Sequence, residues 1–311
     1  MLLSGCALVN SRQINSVKLK FNVLSLSPRA KNWLHGTQLP RVLQIFTPTL
    51  NLVNEDNEVL SLVNPSVGNG PFSMVVEEIN FTDFFNPDTA IHLNENALRI
   101  RDVEFKIDQS FLWNPQPNWE AMRKSIQKIS HHKLQIEQIL LEEATKESLI
   151  KILSQNEPYL QSWQIKERTI ASKAIDLLSE GLRKQSHKLI QEGVSKLAGL
   201  GIGLTPAGDD FLMGVMHGLW TIQSPEMAMR NSQIIFQAAK HKTNTLSAAW
   251  LQAASLGEAG ETWHNLFNAI LGQNSEKVHK SVFHILSTGH TSGADALAGF
   301  IHVLKNRVTW K

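Results

Sequence analysis

Two glycine-rich segments of this chain carry aspartates where an apolar helix is expected to begin. The first spans residues 199–214, reads GLGIGLTPAGDDFLMG and contains Asp209 and Asp210. The second spans residues 289–299, reads GHTSGADALAG and contains Asp295. Glycine has no Cβ and tolerates positive φ, so such segments let a ligand approach the backbone closely. Amides at a helix start bind anions, and carboxylates accept hydrogen bonds from N–H groups.

The two segments align with each other when one gap is allowed. The aligned pairs are Gly203 with Gly289, Thr205 with Thr291, Gly208 with Gly293, Asp210 with Asp295, Leu212 with Leu297 and Gly214 with Gly299. A pair of similar loops favours one shared site over two ordinary helix starts, although the latter interpretation stays open. We therefore expect Asp210 and Asp295 to be catalytic.

The aspartates restrict the kind of ligand that these loops accept. A carboxylate in the first helical turn already occupies the favourable field of the helix dipole, so a bare phosphate is expected to be repelled. A ligand that presents N–H donors beside its anionic end avoids this repulsion, which suits amides and carbamoyl compounds. A divalent cation at Asp209, Asp210 and Asp295 is the alternative, because Mg²⁺ and Ca²⁺ prefer oxygen ligands. No other cofactor is predicted.

A third segment is a candidate for the same cavity. Thr243 and Ser247 lie four residues apart and share one face of a predicted helix, although N-capping by Thr243 or Thr245 explains this pattern equally well. The candidate ligand-binding residues are Gly201, Gly203, Thr205, Gly208, Asp209, Thr243, Ser247, Thr291, Ser292 and Gly293.

Three further polar residues near these segments are interpreted as structural. His217 follows Asp210 by two helical turns, and a hydrogen-bonded core histidine is the favoured interpretation. Glu258 and Glu261 follow a helix stop at Gly257 and are expected to be solvated.

Composition excludes several classes of protein. Thirty basic residues balance twenty-eight acidic ones, without a long basic run, so nucleic acid is not an expected partner. The single cysteine, Cys6, rules out an internal disulfide and a cysteine-based metal cage. No apolar window is long enough to cross a bilayer, and the likeness of residues 3–6 to a lipoprotein cleavage box is interpreted as coincidence. We expect a cytoplasmic protein that does not bind membranes.

Hydrophobic periodicity changes near residue 115 and predicts an α+β fold. A β-rich N-terminal domain is predicted over residues 1–115, and an α-helical domain that carries both loops over residues 116–311. Predicted strands are 17–23, 41–46, 50–53, 59–63, 72–76 and 98–107. Predicted helices are 119–145, 147–154, 168–198, 209–222, 226–241, 244–256, 261–272, 275–287 and 294–306.

The motifs at 199–214 and 289–295 resemble those of a bacterial family, long catalogued as a domain of unknown function, that includes AllH. The likeness extends to the Thr-x-x-x-Ser pattern at 243–247 and to the turns at 68–71 and 113–115, so it spans most of the chain. Two positions depart from the family pattern. Ile202 stands where proline is expected, and Ala207 stands where serine is common, which removes one hydroxyl ligand.

The resemblance implies a subunit of oxamate carbamoyltransferase, an enzyme of anaerobic allantoin degradation. Such a subunit works with two other proteins to transfer a carbamoyl group between phosphate and oxamate or a related amide. The implied partners are therefore a small carboxylate, amide or carbamoyl compound and the other subunits of the complex. Whether the chain itself is catalytic stays open, and the alternative is a non-catalytic, metabolite-binding or regulatory subunit that docks on a catalytic partner.

Overall fold

The computed structural model describes residues 19–94, 96–153, 161–201 and 203–306. Cys6, the segment at residues 3–6 and Ile202 lie outside the described residues. Strands occupy the described part of the chain up to residue 112, and helices predominate from residue 119 onward. The predicted α+β class is confirmed, whereas the domain boundary at residue 115 stays a prediction.

The N-terminal region is built on a mixed sheet whose first strand lies at its centre. In the described residues the sheet order is β2-β3-β4-β5-β1-β8-β7-β6, and β1 runs antiparallel to β5 and parallel to β8 and β9. The strands are β1 Leu19–Leu26, β2 Arg41–Phe46, β3 Thr49–Val53, β4 Val59–Val63, β5 Ser73–Val76, β6 Ile91–Asn94, β7 Ala97–Ile100, β8 Val103–Lys106 and β9 Phe111–Leu112. Both β4 and β5 are buried along their whole length, as expected for interior strands with continuous apolar sequence.

Two sequence predictions for this region need correction. The strand predicted over 98–107 is a hairpin of β7 and β8, and Arg101 in its turn adopts a φ of 58°. The short helices α1 (Pro28–Gly36) and α2 (Phe81–Phe84) were not predicted. The Ser27 side chain caps α1 by accepting a hydrogen bond from the Ala30 amide, and Pro28 occupies the first helical turn. Serine followed by proline is a recognised helix start, so this signal was present in the sequence.

The C-terminal region is helical, and α8 and α13 form its buried centre. The helices are α3 Trp119–Lys124, α4 Ile126–Glu143, α5 Leu149–Leu153, α6 Ser162–Lys184, α7 His187–Leu197, α8 Ala207–Ile222, α9 Pro225–Ala239, α10 Thr245–Ser255, α11 Glu261–Leu271, α12 Ser275–Leu286 and α13 Ser292–Asn306. Nearly every residue of α8 is buried, which explains its almost uninterrupted apolar sequence. Among the helices that the structure describes, none combines the length and the apolar character needed to span a bilayer.

Two of the predicted helices are each divided in two. The helix predicted over 119–145 breaks at Ser125, and the one predicted over 168–198 breaks at Gln185 and Ser186. Gln185 has a φ of 55°, which ends α6, and Ser186 then caps α7 with its side chain. Neither break contains glycine or proline, so the periodicity alone did not reveal it.

The sheet and helical regions are joined at the loop between α10 and α11. Glu261 accepts hydrogen bonds from the amide and the side-chain nitrogen of Asn69, both at 2.8 Å, while the Glu261 amide donates to the Asn69 carbonyl. Glu258 forms an ion pair with Arg29 at 2.7 Å. The expectation that Glu258 and Glu261 are solvated is therefore wrong, because both side chains fasten this loop to the sheet region.

Truncation of Glu261 to alanine is expected to lower the free energy of unfolding by about 2 kcal/mol, since two charge-assisted hydrogen bonds to Asn69 are lost. Glu276 offers a matched control, because it also lies in the first turn of a helix but pairs with Lys280 in full solvent. Its replacement by alanine is expected to leave stability nearly unchanged. Urea denaturation measures both variants, and equal losses would show that the contact with Asn69 contributes nothing.

Candidate functional site

The helices α8 and α13 run parallel, with both N-termini at the same end. A Cβ placed on Gly214 would lie 1.8 Å from the Ala296 carbonyl oxygen, and one placed on Gly299 would lie 2.0 Å from the Phe211 carbonyl oxygen. Phe211 and Ala296 each follow the aspartate of their own loop, so the contacts are reciprocal. Residues that are equivalent in the sequence alignment therefore make equivalent contacts between the two helices.

This arrangement brings Asp210 and Asp295 together. Their exposed fractions are 7% and 0%, and the Oδ2 atom of each is buried without a hydrogen-bond partner among the described residues. Oδ1 of Asp295 accepts a hydrogen bond of 2.6 Å from the backbone amide of Leu149 at the start of α5. Buried polar atoms without partners are uncommon in folded proteins. Two of them on neighbouring carboxyl groups single out this pair as the candidate site.

The pKa values of both carboxyl groups are raised. Burial raises the pKa of Asp210 well above its usual value, and the nearby charge of Asp295 raises it further, against hydrogen bonding by Ser292 and Thr205. Burial also raises the pKa of Asp295, to about 7, although hydrogen bonds from Leu149 and Thr291 oppose the shift. Burial therefore favours the protonated form of each group, and an ionised Asp295 favours it further at Asp210.

Hydroxyl groups from both loops line the same place. Thr205 Oγ1 and Ser292 Oγ lie 2.6 Å apart and join the first loop to the start of α13. Both hydroxyls face the carboxyl group of Asp210, and Thr291 faces that of Asp295. Each of the three residues is only partly buried. The paired carboxyl groups and the hydroxyls of both loops are thus brought together.

Comparison with protein families agrees with these motifs. The family model described as oxamate carbamoyltransferase subunit AllH matches residues 197–304, and that of the AllH family N-terminal domain matches residues 22–112. The chain belongs to the AllH family. The resemblance seen in the sequence is thereby confirmed, and the AllH name supports a role as a subunit associated with a carbamoyltransferase. No solved structure matches the chain.

Asp209 stabilises the first glycine-rich segment, residues 199–214, through hydrogen bonds. Its Oδ1 accepts a hydrogen bond from the Gly199 amide at 3.0 Å, its Oδ2 accepts from the Thr243 hydroxyl, and Ser247 is buried beside the same carboxyl group. Both of its oxygens are thus engaged within the protein. Contact of Asp209, Thr243 or Ser247 with a ligand stays a prediction.

The cap of α10 differs from the predicted one. Asn244 caps this helix by accepting a hydrogen bond from the Ser247 amide, and its side-chain nitrogen also donates to the Leu204 carbonyl at 2.7 Å. N-capping by Thr243 or Thr245 is therefore wrong. Thr243 is free to bind Asp209 because its neighbour performs the capping.

The candidate glycines of the two glycine-rich segments divide into two groups. A Cβ on Gly208 would lie 2.0 Å from the Leu197 carbonyl oxygen, and one on Gly293 would lie 1.8 Å from that of Ile285, so close packing explains both residues. Gly201 and Gly203 instead have φ angles of 107° and 133° in the first loop. These angles favour glycine, and a Cβ on Gly203 would meet nothing closer than 3.6 Å. Binding of a ligand by any of these four glycines stays a prediction.

His217 is a core residue, as predicted. Its ring packs against Trp263 with centroids 4.8 Å apart, and burial lowers its pKa to about 3. Its Nδ1 atom has no hydrogen-bond partner in the described part of the chain, so the expected hydrogen bond is absent at that atom. The residue is neutral and has no place in acid–base chemistry near neutral pH.

Two contributors to the site were missed by sequence reasoning. The Leu149 amide binds Asp295, and Glu167 on α6 lies close enough for its charge to raise the pKa of Asp295. Neither residue belongs to a motif, and each precedes the loops by more than thirty positions in the sequence. Only the packing of α5 and α6 against the two loops places them here.

The proposed cation site remains a hypothesis. In residues 19–306, apart from those that the structure does not describe, no group of three or more His, Cys, Asp or Glu side chains is placed to hold a metal ion. Asp209, one of the three expected ligands, already binds Gly199 and Thr243. Calorimetric titration with Mg²⁺ and Ca²⁺ tests the hypothesis directly.

Proposed function

We propose that this chain binds the small substrate of a carbamoyltransferase complex at its two glycine-rich loops. The substrate is a short molecule with an amide end and a carboxylate end, such as oxamate, and carbamoyl phosphate is the donor of the carbamoyl group. One observation carries the proposal, namely the neighbouring carboxyl groups of Asp210 and Asp295, each with a buried Oδ2 that lacks a partner in the part of the chain that the structure describes.

The raised pKa values of the Asp210 and Asp295 carboxyl groups suit a primary amide as ligand. A primary amide has a carbonyl oxygen that accepts hydrogen bonds and an NH₂ group that donates them. In the proposed complex the neutral acid of Asp210 donates to the carbonyl oxygen, and the ionised form of Asp295 accepts from the NH₂ group. A carboxylate ligand lacks the donor and would instead face Asp295 with like charge.

The anionic end of the ligand has different partners. The N-termini of α8 and α13 lie side by side at the site, and their helix dipoles favour negative charge there. The hydroxyls of Thr205, Thr291 and Ser292 are available as further donors. Burial raises the pKa of Asp210 and disfavours its charged form, which weakens the repulsion expected from the sequence.

Thermal unfolding with oxamate and oxalate tests the proposal. Oxalate has the same shape but carries a second carboxylate in place of the amide. Oxamate at about a hundred times its Kd is expected to add about 2.7 kcal/mol of stability. Oxalate is expected to bind at least about tenfold more weakly, because it lacks the N–H donor for Asp295. Equal stabilisation by the two compounds would mean that the amide is not recognised.

Reconstitution with the partner subunits separates the two roles left open by the sequence. If carbamoyl transfer between carbamoyl phosphate and oxamate requires this chain, it contributes to the reaction site. If the partners alone transfer the group at the same rate, and this chain only changes their response to oxamate, it is a regulatory subunit.

A further inference from the structure

Glu167 is a third acidic residue of the site, although it lies on α6 and outside both loops. Its Oε1 atom is 3.4 Å from the position that a Cβ on Gly201 would occupy, so its carboxyl group lies against the first loop. Its charge also acts on Asp295 in the second loop. The side chain is half-buried, and within the described residues it forms no hydrogen bond or ion pair. Glu167 is thus an unengaged carboxyl group beside both loops.

Carbamoyl transfer to an amide needs a group that accepts a proton. The amide nitrogen carries two hydrogens and must lose one when it bonds to the carbamoyl carbon. Asp209 is engaged by Gly199 and Thr243, and burial raises the pKa of Asp210 well above its usual value, which disfavours the ionised form that could accept a proton. In the proposed complex Asp295 already binds the NH₂ group.

The nearby histidines fit the role less well. His217 is enclosed in the aromatic core. His290 has a side chain that is 75% exposed and lies 3.6 Å from Glu147. Glu167 remains as a partly exposed acidic side chain that borders the first loop. Burial raises its pKa, which strengthens it as a proton acceptor.

We propose that Glu167 accepts the proton that the amide nitrogen of the acceptor releases during carbamoyl transfer. The inference rests on the proposed function. In this step a bond forms between the amide nitrogen and the carbamoyl carbon, and the bond from that carbon to the phosphate oxygen breaks. The electron pair leaves with phosphate, and the proton passes from nitrogen to the carboxylate of Glu167. In the reverse direction, the protonated Glu167 returns the proton to the departing amide nitrogen.

The test uses the reconstituted complex with oxamate and carbamoyl phosphate. The Glu167→Gln variant keeps the size of the side chain and removes the basic oxygen. Its kcat is expected to fall by about a hundredfold or more, while the Kd for oxamate, measured by calorimetry, changes by no more than about threefold. Glu167→Asp retains a carboxylate and is expected to recover part of the lost kcat.

Glu180→Gln is the matched control, because Glu180 lies on the same helix and is paired in solvent with Arg183 and Lys184. It is expected to retain wild-type kcat. If Glu167→Gln also retains wild-type kcat, Glu167 is not the proton acceptor and the proposed function still stands. A wild-type complex that transfers no carbamoyl group would overturn the proposed function instead. A loss of oxamate binding in Glu167→Gln that equals the loss of activity would make Glu167 a binding residue only.

Discussion

Replacement of Asp295 by asparagine is expected to remove oxamate binding and to make the protein harder to unfold. The Kd for oxamate should rise by about a hundredfold, because an acceptor charged near neutral pH is lost. At pH 8 the free energy of unfolding should rise by roughly 1 to 3 kcal/mol, since the variant no longer buries a carboxylate that has one oxygen without a partner. Calorimetry and urea denaturation measure the two effects.

The gain in stability should depend on pH in a defined direction. Burial raises the pKa of Asp295 from 3.8 to about 7 in the folded protein. The folded state therefore binds a proton that the unfolded state has released, and the wild type loses stability as the pH rises from about 4 to about 7. The advantage of Asp295→Asn should be complete above pH 7, decrease as the pH falls and disappear below about pH 4.

Asp210→Asn is the informative companion variant. Burial raises the pKa of Asp210 and disfavours its charged form, so asparagine removes less charge here than at Asp295, and the loss of oxamate affinity should be clearly smaller than that of Asp295→Asn. If Asp295→Asn instead unfolds more easily than the wild type at pH 8, its bond to the Leu149 amide is its main role. The residue would then be a structural support for α5.

Replacement of Gly214 or Gly299 by alanine is expected to disrupt the helical region. A methyl group at either position would lie within about 2 Å of a carbonyl oxygen on the other central helix, a distance that no side-chain rotation can relieve. Separation of α8 from α13 should cost more than about 3 kcal/mol. Low soluble yield, or a large fall in the urea midpoint, is the expected result for each variant.

Two other glycine-to-alanine variants are expected to have smaller effects on stability. A Cβ on Gly218 would lie 2.6 Å from the Cβ of Val303, a longer distance than at Gly214 or Gly299, so Gly218→Ala should be destabilising by a smaller amount. A Cβ on Gly36 at the end of α1 would meet nothing within 4 Å, so Gly36→Ala should be neutral or slightly stabilising. Similar midpoints for all four variants would mean that the helix pair adjusts easily to larger residues.

The sequence predicted much of this arrangement because its strongest signals are local. The alignment of Asp210 with Asp295 and of Gly214 with Gly299 anticipated a paired site, and hydrophobic periodicity located most helices. Local patterns also misled in places. The turn at Arg101 and the break at Gln185 use residues that rarely adopt positive φ, so nothing in their types marked them.

The rest of the site depends on contacts between distant segments. Glu167 belongs to a helix whose sequence resembles any amphipathic surface helix, and Leu149 contributes through its backbone. Glu261 was interpreted as a solvated residue, because its partner Asn69 lies 192 positions earlier in the sequence. Side-chain type and spacing within one segment cannot show which groups from another segment are packed beside it.

The reciprocal glycine contacts between α8 and α13 also determine how the site can move. Each helix places its backbone against a carbonyl group of the other, so neither can slide or rotate without a collision on both sides of the pair. The two aspartates are thus held on a rigid pair of helices, so any movement of the site has to come from the segments around them, such as the turn at Leu204, whose carbonyl accepts a hydrogen bond from the Asn244 side chain. Hydrogen exchange should accordingly be slower in α8 and α13 than in that turn.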